Sequence, residues 1–381
     1  MAKSVEIYSD PLLPTPFVAI DRNRVLANIA AMQGLASGAG VGLRPHTKTH
    51  KSPVIARWQL NAGAIGICCA KLAEAEVFAA AGFTDIRLPY PVHPTNADRV
   101  RALLERGTTL SIIVDDAVVA AEWSAAMQRF GRQLDVLVKV DVGLHRCGID
   151  PERPDAAAMV RHVAALPGLR FLGLLSHAGH GYLAPGPREI EAIATSEAMT
   201  LNALAAELRV GGTEVREISV GATPTARFIG RQQGITEMRP GAYVFCDRTQ
   251  VGVGAADLED CAMSIISTVV SRPARDRVIL DAGSKTLSND TARGFTPTPG
   301  YGLVFPTLAA TVPDPSIVIE RLSEEHATTR VAPDNTLKPG DRVRIVPNHT
   351  CVVTNLANEL TIMDGDTVLE RMPVAARGKN Y

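Results

Sequence analysis

Short β-rich apolar runs recur through the first two thirds of the chain. Each is followed by a stretch in which apolar residues return at helical spacing, which is the rhythm of βα units. The runs are 42–46 (GLRPH), 64–69 (AIGICC), 85–92 (DIRLPYPV), 110–116 (LSIIVDD), 134–142 (LDVLVKVDV), 169–179 (LRFLGLLSHAG), 215–222 (VREISVGA) and 235–245 (ITEMRPGAYVF). About eight strands in roughly 200 residues is the count and size of a (β/α)8 barrel, which is predicted here over residues 15–250. Between the strands, 71–82 (KLAEAEVFAAAG) predicts an amphipathic helix. Its apolar positions Leu72, Ala75, Val77 and Ala79 lie among Glu74 and Glu76, and Gly82 closes it.

After about residue 250 the pattern changes to β-branched runs without intervening helices: 263–271, 276–283, 316–323, 341–356 and 359–372. They predict an antiparallel β domain over 251–381. Residues 1–14 are too few for a domain and are candidates to join it. The Pro/Gly-rich stretch 294–306 cannot be a long helix and is assigned to a surface loop.

A chain of 381 residues suits a large α/β domain with a smaller partner. Apolar residues at 46% and charged ones at 21% are globular proportions. With 39 Lys and Arg against 40 Asp and Glu, the chain offers no broad basic surface for nucleic acid or an anionic membrane, and a small-molecule substrate is expected. The cysteines, at 68, 69, 147, 246, 261 and 351, lack the dense spacing of a disulfide scaffold. No leader-like segment or long apolar run occurs, so a cytoplasmic location is expected.

Three features could carry chemistry. Lys48 lies in RPHTKTHK (44–51), at the C-terminal end of the first barrel strand, flanked by Pro45, His46 and His50. Barrel chemistry gathers at that end. A desolvated lysine near other cations can form an imine with an aldehyde cofactor, although the same loop could bind an anion or only water. SVGATPT (219–225) and RPGAY (239–243) each follow a strand where barrels place phosphate. The first offers backbone amides at Gly221 with the hydroxyls of Thr223 and Thr225; the second offers Gly241 and Tyr243. Singly, either is more often an ordinary turn. Finally, His349 and Cys351 in PNHTCVVTN (347–355) are two apart in a run that reads as strand, so both side chains would leave one face. Imidazole with thiolate suits zinc better than magnesium. A buried cysteine beside a chance histidine is the plain alternative. His177 and His180 are spaced for ring packing against a cofactor rather than for metal, and Glu325 with His326 reads as a solvated pair.

In their order, HTKTHK, GICCAKLAEAEVFAAAG, VDVGLHRCG, SVGATPT, RPGAYVF, EEH and PNHTC resemble the D-threonine aldolase and D-serine dehydratase family. Its barrel is that of alanine racemase. The resemblance covers nearly the whole chain. It implies a fold-type III enzyme, a homodimer, with pyridoxal 5'-phosphate (PLP) carried on Lys48. Gly221, Ala222, Thr223, Gly241 and Ala242 would hold the phosphate, and Arg239 would face the pyridine nitrogen. Arg146, His177 and Tyr243 would be further cofactor contacts. His349 and Cys351 would hold a divalent metal, zinc in preference to manganese or magnesium. The implied reaction is lysis of a D-3-hydroxy amino acid. His-x-Cys, SVGATPT and Arg239 resemble the dehydratase branch, of D-serine or D-3-hydroxyaspartate type, giving a 2-keto acid and ammonia. GICCAKLAEAE and the closing AARGKNY resemble the aldolase branch, giving glycine and an aldehyde. An amino acid racemase and a non-enzymatic PLP carrier are the remaining alternatives. The C-terminal domain argues against the carrier, and the scarcity of late tyrosines against the racemase.

Overall fold

A computed structural model describes residues 5–6, 13–296 and 299–381. The chain divides into two compact units. One comprises Ala31–Lys48, Pro53–Gly241 and Gly378–Tyr381; the other gathers the chain up to Ala30, Thr49–Ser52 and Ala242–Arg377.

The first unit is the barrel. Its strands are β1 (Gly42–Leu43), β2 (Ile67–Cys68), β3 (Asp85–Pro91), β4 (Thr109–Val114), β5 (Leu134–Lys139), β6 (Leu169–Leu175), β7 (Glu217–Val220) and β8 (Glu237–Met238). All neighbours pair in parallel, and β8 pairs with β1. Between β1 and β2 the ring is closed by the parallel bridge of His46 with Cys68, with Ile65 N donating to Leu43 O at 2.9 Å and Cys68 N to Pro45 O at 2.8 Å. Each predicted run contributes one strand. The last is shorter than its pattern suggested: only Glu237 and Met238 pair, and Ala242–Val244 form a 3-10 turn.

Helices cover the ring. In Ala117–Phe130, Asp116 caps the start by accepting from Val118 N and Val119 N at 2.8 and 3.0 Å, and Gly131 ends it in the left-handed region that glycine tolerates. Its Trp123 is fully buried. The helix predicted at 71–82 spans Leu72–Ala80 and buries the expected Leu72 and Ala75 together with Ala73, Glu74 and Phe78, while Val77 and Ala79 are half-buried. Glu74 turns inward because its carboxylate accepts from Ala70 N at 2.6 Å, so the side chain is satisfied where periodicity placed it among polar positions.

The second unit is a sheet built largely from β9 (Met263–Ala274), β10 (Arg277–Leu280), β11 (Leu303–Phe305), β12 (Val318–Leu322), β13 (Ala327–Arg330), β14 (Arg342–Val346), β15 (Glu359–Asp364) and β16 (Thr367–Pro373). An N-terminal strand, Phe17–Asp21, lies between β9 and β15, antiparallel to the first and parallel to the second. Val18, Ala19 and Ile20 are buried in this sheet, and the compact unit that holds the barrel takes Ala31–Lys48 and Pro53–Gly241 from the range 15–250 expected of it. Of residues 1–14, Val5 and Glu6 pair with β16; residues 1–4 and 7–12 lie outside the described residues. The loop predicted over 294–306 is corrected in part. Its end is strand β11, where Val304 and Phe305 are buried and pair with β14, and residues 297–298 lie outside the described residues. No described helix is long and apolar enough to cross a membrane.

Candidate active site

At the C-terminal ends of β1, β5, β6, β7 and β8 the barrel gathers cationic and hydroxyl groups. Lys48 sits half-buried on the one-turn 3-10 helix Thr47–Thr49 directly after β1. Thr47 fastens that turn to the next strand by donating to Cys68 O at 2.9 Å. Lys48 is close enough to His177 to act on it electrostatically. Burial first, then Lys48 and Lys139, hold the His177 imidazole well below its ordinary value. A neutral ring carries one proton, and Nδ1 lies 2.5 Å from Gly221 O, which can only accept. Nδ1 therefore donates, and Nε2 keeps a lone pair.

Gly221, at the end of β7, has φ +149°, and an added Cβ would stand 2.7 Å from Arg239 N. The backbones of the β7 and β8 turns can approach this closely only because the side chain is absent. Beyond it, the Thr223 hydroxyl is buried and has no hydrogen-bond partner among the described residues. Thr225, by contrast, spends its hydroxyl proton on Ala222 O at 3.1 Å. Gly241, which follows β8, is buried, and so are the next two residues in the chain, Ala242 and Tyr243.

Arg239 is buried and donates to the Ser219 hydroxyl and to Ser176 O. Burial draws its guanidinium down from its ordinary value, while Cys68, Glu237 and Glu197 act the other way. Behind it, Glu237 accepts from Arg87 Nη1 at 2.5 Å, from Arg44 Nε at 2.6 Å and from the Ser219 hydroxyl. Burial works against this carboxylate, but Arg87, Arg44 and Arg239 outweigh it and hold Glu237 at about 2. Lys139, the last residue of β5, is buried, and its Nζ has no hydrogen-bond partner among the described residues. Burial first, and then Arg239 and Arg146, draw it down to about 7. Arg146 itself is exposed.

These residues fit PLP. An anionic phosphate would answer the buried Thr223 hydroxyl and the excess of cations, and the missing Gly221 side chain leaves backbone accessible.

The other unit holds His349 and Cys351, but not on a strand. β14 ends at Val346, and Thr350–Leu356 is a helix with His349 as its N-cap residue. The expectation of strand alternation is corrected by two causes. Pro347 supplies no ladder donor, and Asp247 Oδ2 accepts from Thr350 N at 3.0 Å, turning the backbone into a helix. His349 and Cys351 still meet, because a hydrogen bond links their side chains. Cys351 Sγ lies 3.2 Å from Thr49 Oγ1, within hydrogen-bond reach. His349 Nδ1 is 2.6 Å from Asp290 Oδ2. Burial disfavours the His349 cation, yet Cys351, Asp247 and Asp290 raise it to about 10, so the surroundings favour positive charge. Imidazole and thiol in such surroundings fit a divalent metal of borderline softness, although among the described residues no cluster of three or more His, Cys, Asp or Glu forms a complete ligand set. Glu325 and His326 are exposed, and Glu325 pairs with Lys285 at 2.6 Å, as a solvated pair would.

Several supporting residues carry no local signal in the sequence. Thr249 donates to Asn348 O at 2.9 Å, and the Arg248 guanidinium bonds Pro299 O, Gly300 O, Gly302 O and Asn348 Oδ1. Asp247 is a partial exception. D-x-x-Q at 247–250 is a capping pattern, and Asp247 does accept from Gln250 N at 2.9 Å.

Comparison with known proteins agrees with this architecture. The alanine racemase N-terminal domain family matches residues 20–249, and the putative serine dehydratase domain family matches 262–363. D-threo-3-hydroxyaspartate dehydratase of Delftia sp. (strain HT23) is 35% identical over 89% of this chain and 91% of its own. D-threonine aldolase of Arthrobacter sp. is 33% identical over 97% and 94%. The solved structure of the Delftia dehydratase superposes with a TM-score of 0.90 over 97% of this chain and 98% of the other. The chain therefore belongs to the D-threonine aldolase and D-serine dehydratase family of fold-type III pyridoxal-phosphate enzymes, with an alanine racemase-type barrel and a serine dehydratase-type second domain.

Proposed function

We propose that the protein is a PLP- and divalent-metal-dependent lyase of D-3-hydroxy amino acids, acting as a dehydratase of D-serine or D-3-hydroxyaspartate type. The observation that carries this reading is the meeting of the His349 imidazole with the Cys351 thiol at the start of one helix. Those donors suit zinc ahead of manganese or magnesium. A solved cysteine-to-alanine variant of a D-threo-3-hydroxyaspartate dehydratase is in a metal-free form, which supports assigning a cysteine to the metal.

Lys48 would hold the cofactor through its amine, and Gly221, Ala222, Thr223, Gly241 and Ala242 would hold its phosphate. Arg239 would meet the ring nitrogen, with His177, Arg146 and Tyr243 as further contacts. When bound, PLP withdraws electrons from the substrate Cα and the metal draws electrons from the β-hydroxyl. Lys48 would also be the base that takes the substrate α-proton. Arg239 is a guanidinium that donates to Ser219 and Ser176 O, with Glu237 behind Ser219, so it would offer a bound ring nitrogen a hydrogen bond but no proton. His349 and Cys351 would hold the divalent metal, which would supply the Lewis acid that assists departure of the β-hydroxyl. Loss of the α-proton and of hydroxide, followed by hydrolysis, converts the substrate to a 2-keto acid and ammonia.

The aldolase is a second reading, favoured by the 33% identity to D-threonine aldolase over nearly the whole chain. Incubation with D-serine, D-threo-3-hydroxyaspartate and D-threonine separates the two: keto acid with ammonia supports dehydration, and glycine with an aldehyde from D-threonine, without keto acid, overturns it. A chelator that abolishes turnover while the yellow absorbance of bound cofactor persists excludes the racemase and carrier readings. A homodimer in the cytoplasm completes the proposal. Light scattering of the purified protein tests the first part, and fractionation of the source cells tests the second.

A further inference from the structure

His349 has two ring nitrogens, and Asp290 engages one of them, Nδ1, at 2.6 Å. Asp290 is itself held by bonds independent of that contact. Its N–H donates to Ser288 Oγ at 3.2 Å, and its carbonyl accepts from Asn348 Nδ2 at 2.9 Å. Asn348, next in the chain to His349, is buried and takes a further bond from the Arg248 guanidinium at 3.3 Å. The segment bearing Asp290 and the segment bearing His349 are thus tied twice, once through side chains and once through Asn348. Ser288 stands at φ 64°, a left-handed conformation that costs a serine free energy and persists only where neighbouring contacts fix it.

We propose that Asp290 is a positioning residue for the metal site: by accepting the Nδ1 proton it fixes the His349 tautomer and ring orientation, leaving the Nε2 lone pair as the metal donor. The inference rests on reading His349 and Cys351 as the metal pair. A metal-bound histidine generally donates its second ring N–H to a carboxylate or carbonyl, and removing that partner typically weakens metal affinity about 10- to 100-fold.

The test uses the PLP-loaded full chain, stripped of metal by a chelator and titrated with zinc against a chromophoric competitor. Asp290→Ala is expected to weaken zinc binding about 10- to 100-fold while the cofactor absorbance and the thermal midpoint stay those of the wild type. Asp290→Asn, whose amide oxygen can still accept the Nδ1 proton, is expected to recover part of the loss. It also carries the test if the alanine variant folds poorly. The inference is overturned if both Asp290 variants bind zinc within twofold of the wild type while Cys351→Ala and His349→Ala lose it. If those two ligand variants also bind zinc like the wild type, the metal reading itself falls, and this inference with it.

Discussion

Asp247 and Thr350, 103 residues apart, are joined through one carboxylate oxygen: Asp247 Oδ2 accepts from the Thr350 amide at 3.0 Å and from its hydroxyl at 3.2 Å. The other oxygen accepts from Gln250 N, so one buried side chain caps two helices, Arg248–Gly252 and Thr350–Leu356. Loss of a single helix cap costs roughly 0.5–2 kcal/mol, and here buried amides would also lose their partner. Asp247→Ala should therefore destabilise the protein by about 2–4 kcal/mol, read by denaturant unfolding, and lower its zinc affinity. An unchanged midpoint with unchanged zinc binding would contradict the capping role.

Glu237 gives a pH dependence. Its folded value of about 2 lies below the ordinary 4.5, so its ion pairs contribute stability that is fully present above about pH 4.5. That contribution, on the order of 3 kcal/mol, is lost as pH falls toward 2. Glu237→Gln should remove this acid limb. It should also cost about 3–5 kcal/mol at neutral pH, because Arg44 and Arg87 lose a buried counter-charge. Calorimetry between pH 2 and 7 reads both effects.

Gly221→Ala should lose cofactor rather than only activity. Its φ of +149° is one that alanine rarely adopts, and the new Cβ would collide with the Arg239 amide. We expect at least tenfold weaker PLP binding in reconstitution titrations; equal cofactor content would show that the turn can relax.

Lys48→Ala should be colourless where the wild type is yellow, and borohydride should then fix no cofactor to the chain. A reduced adduct recovered on another lysine, such as Lys139, would refute the assignment.

The barrel was legible because parallel strands buried on both faces read as largely apolar runs, as Val136–Val138 within Leu134–Lys139 does. The helix at Leu72–Ala80 was legible in extent but only partly in facing, since the inward turn of Glu74 depends on the Ala70 amide. His349 and Cys351 stand out by residue type, but the strand expected to carry them is the start of a helix. The run 341–356 is β-branched enough to look extended, and the cap that turns it comes from Asp247. Asp290 and Glu237 lay beyond sequence reasoning for the same reason. Their partners, His349, Arg44 and Arg87, are 59, 193 and 150 residues away, and no local pattern encodes such a pairing.

Phe17–Asp21 is made early in synthesis, yet one of its two sheet partners is Glu359–Asp364, near the end of the chain. On the ribosome this sheet must wait until Glu359–Asp364 has been made. A fragment beginning at residue 251 would expose the bare edges of two long strands to any neighbouring copy, and such a truncation should be recovered as aggregate, not as a separable module.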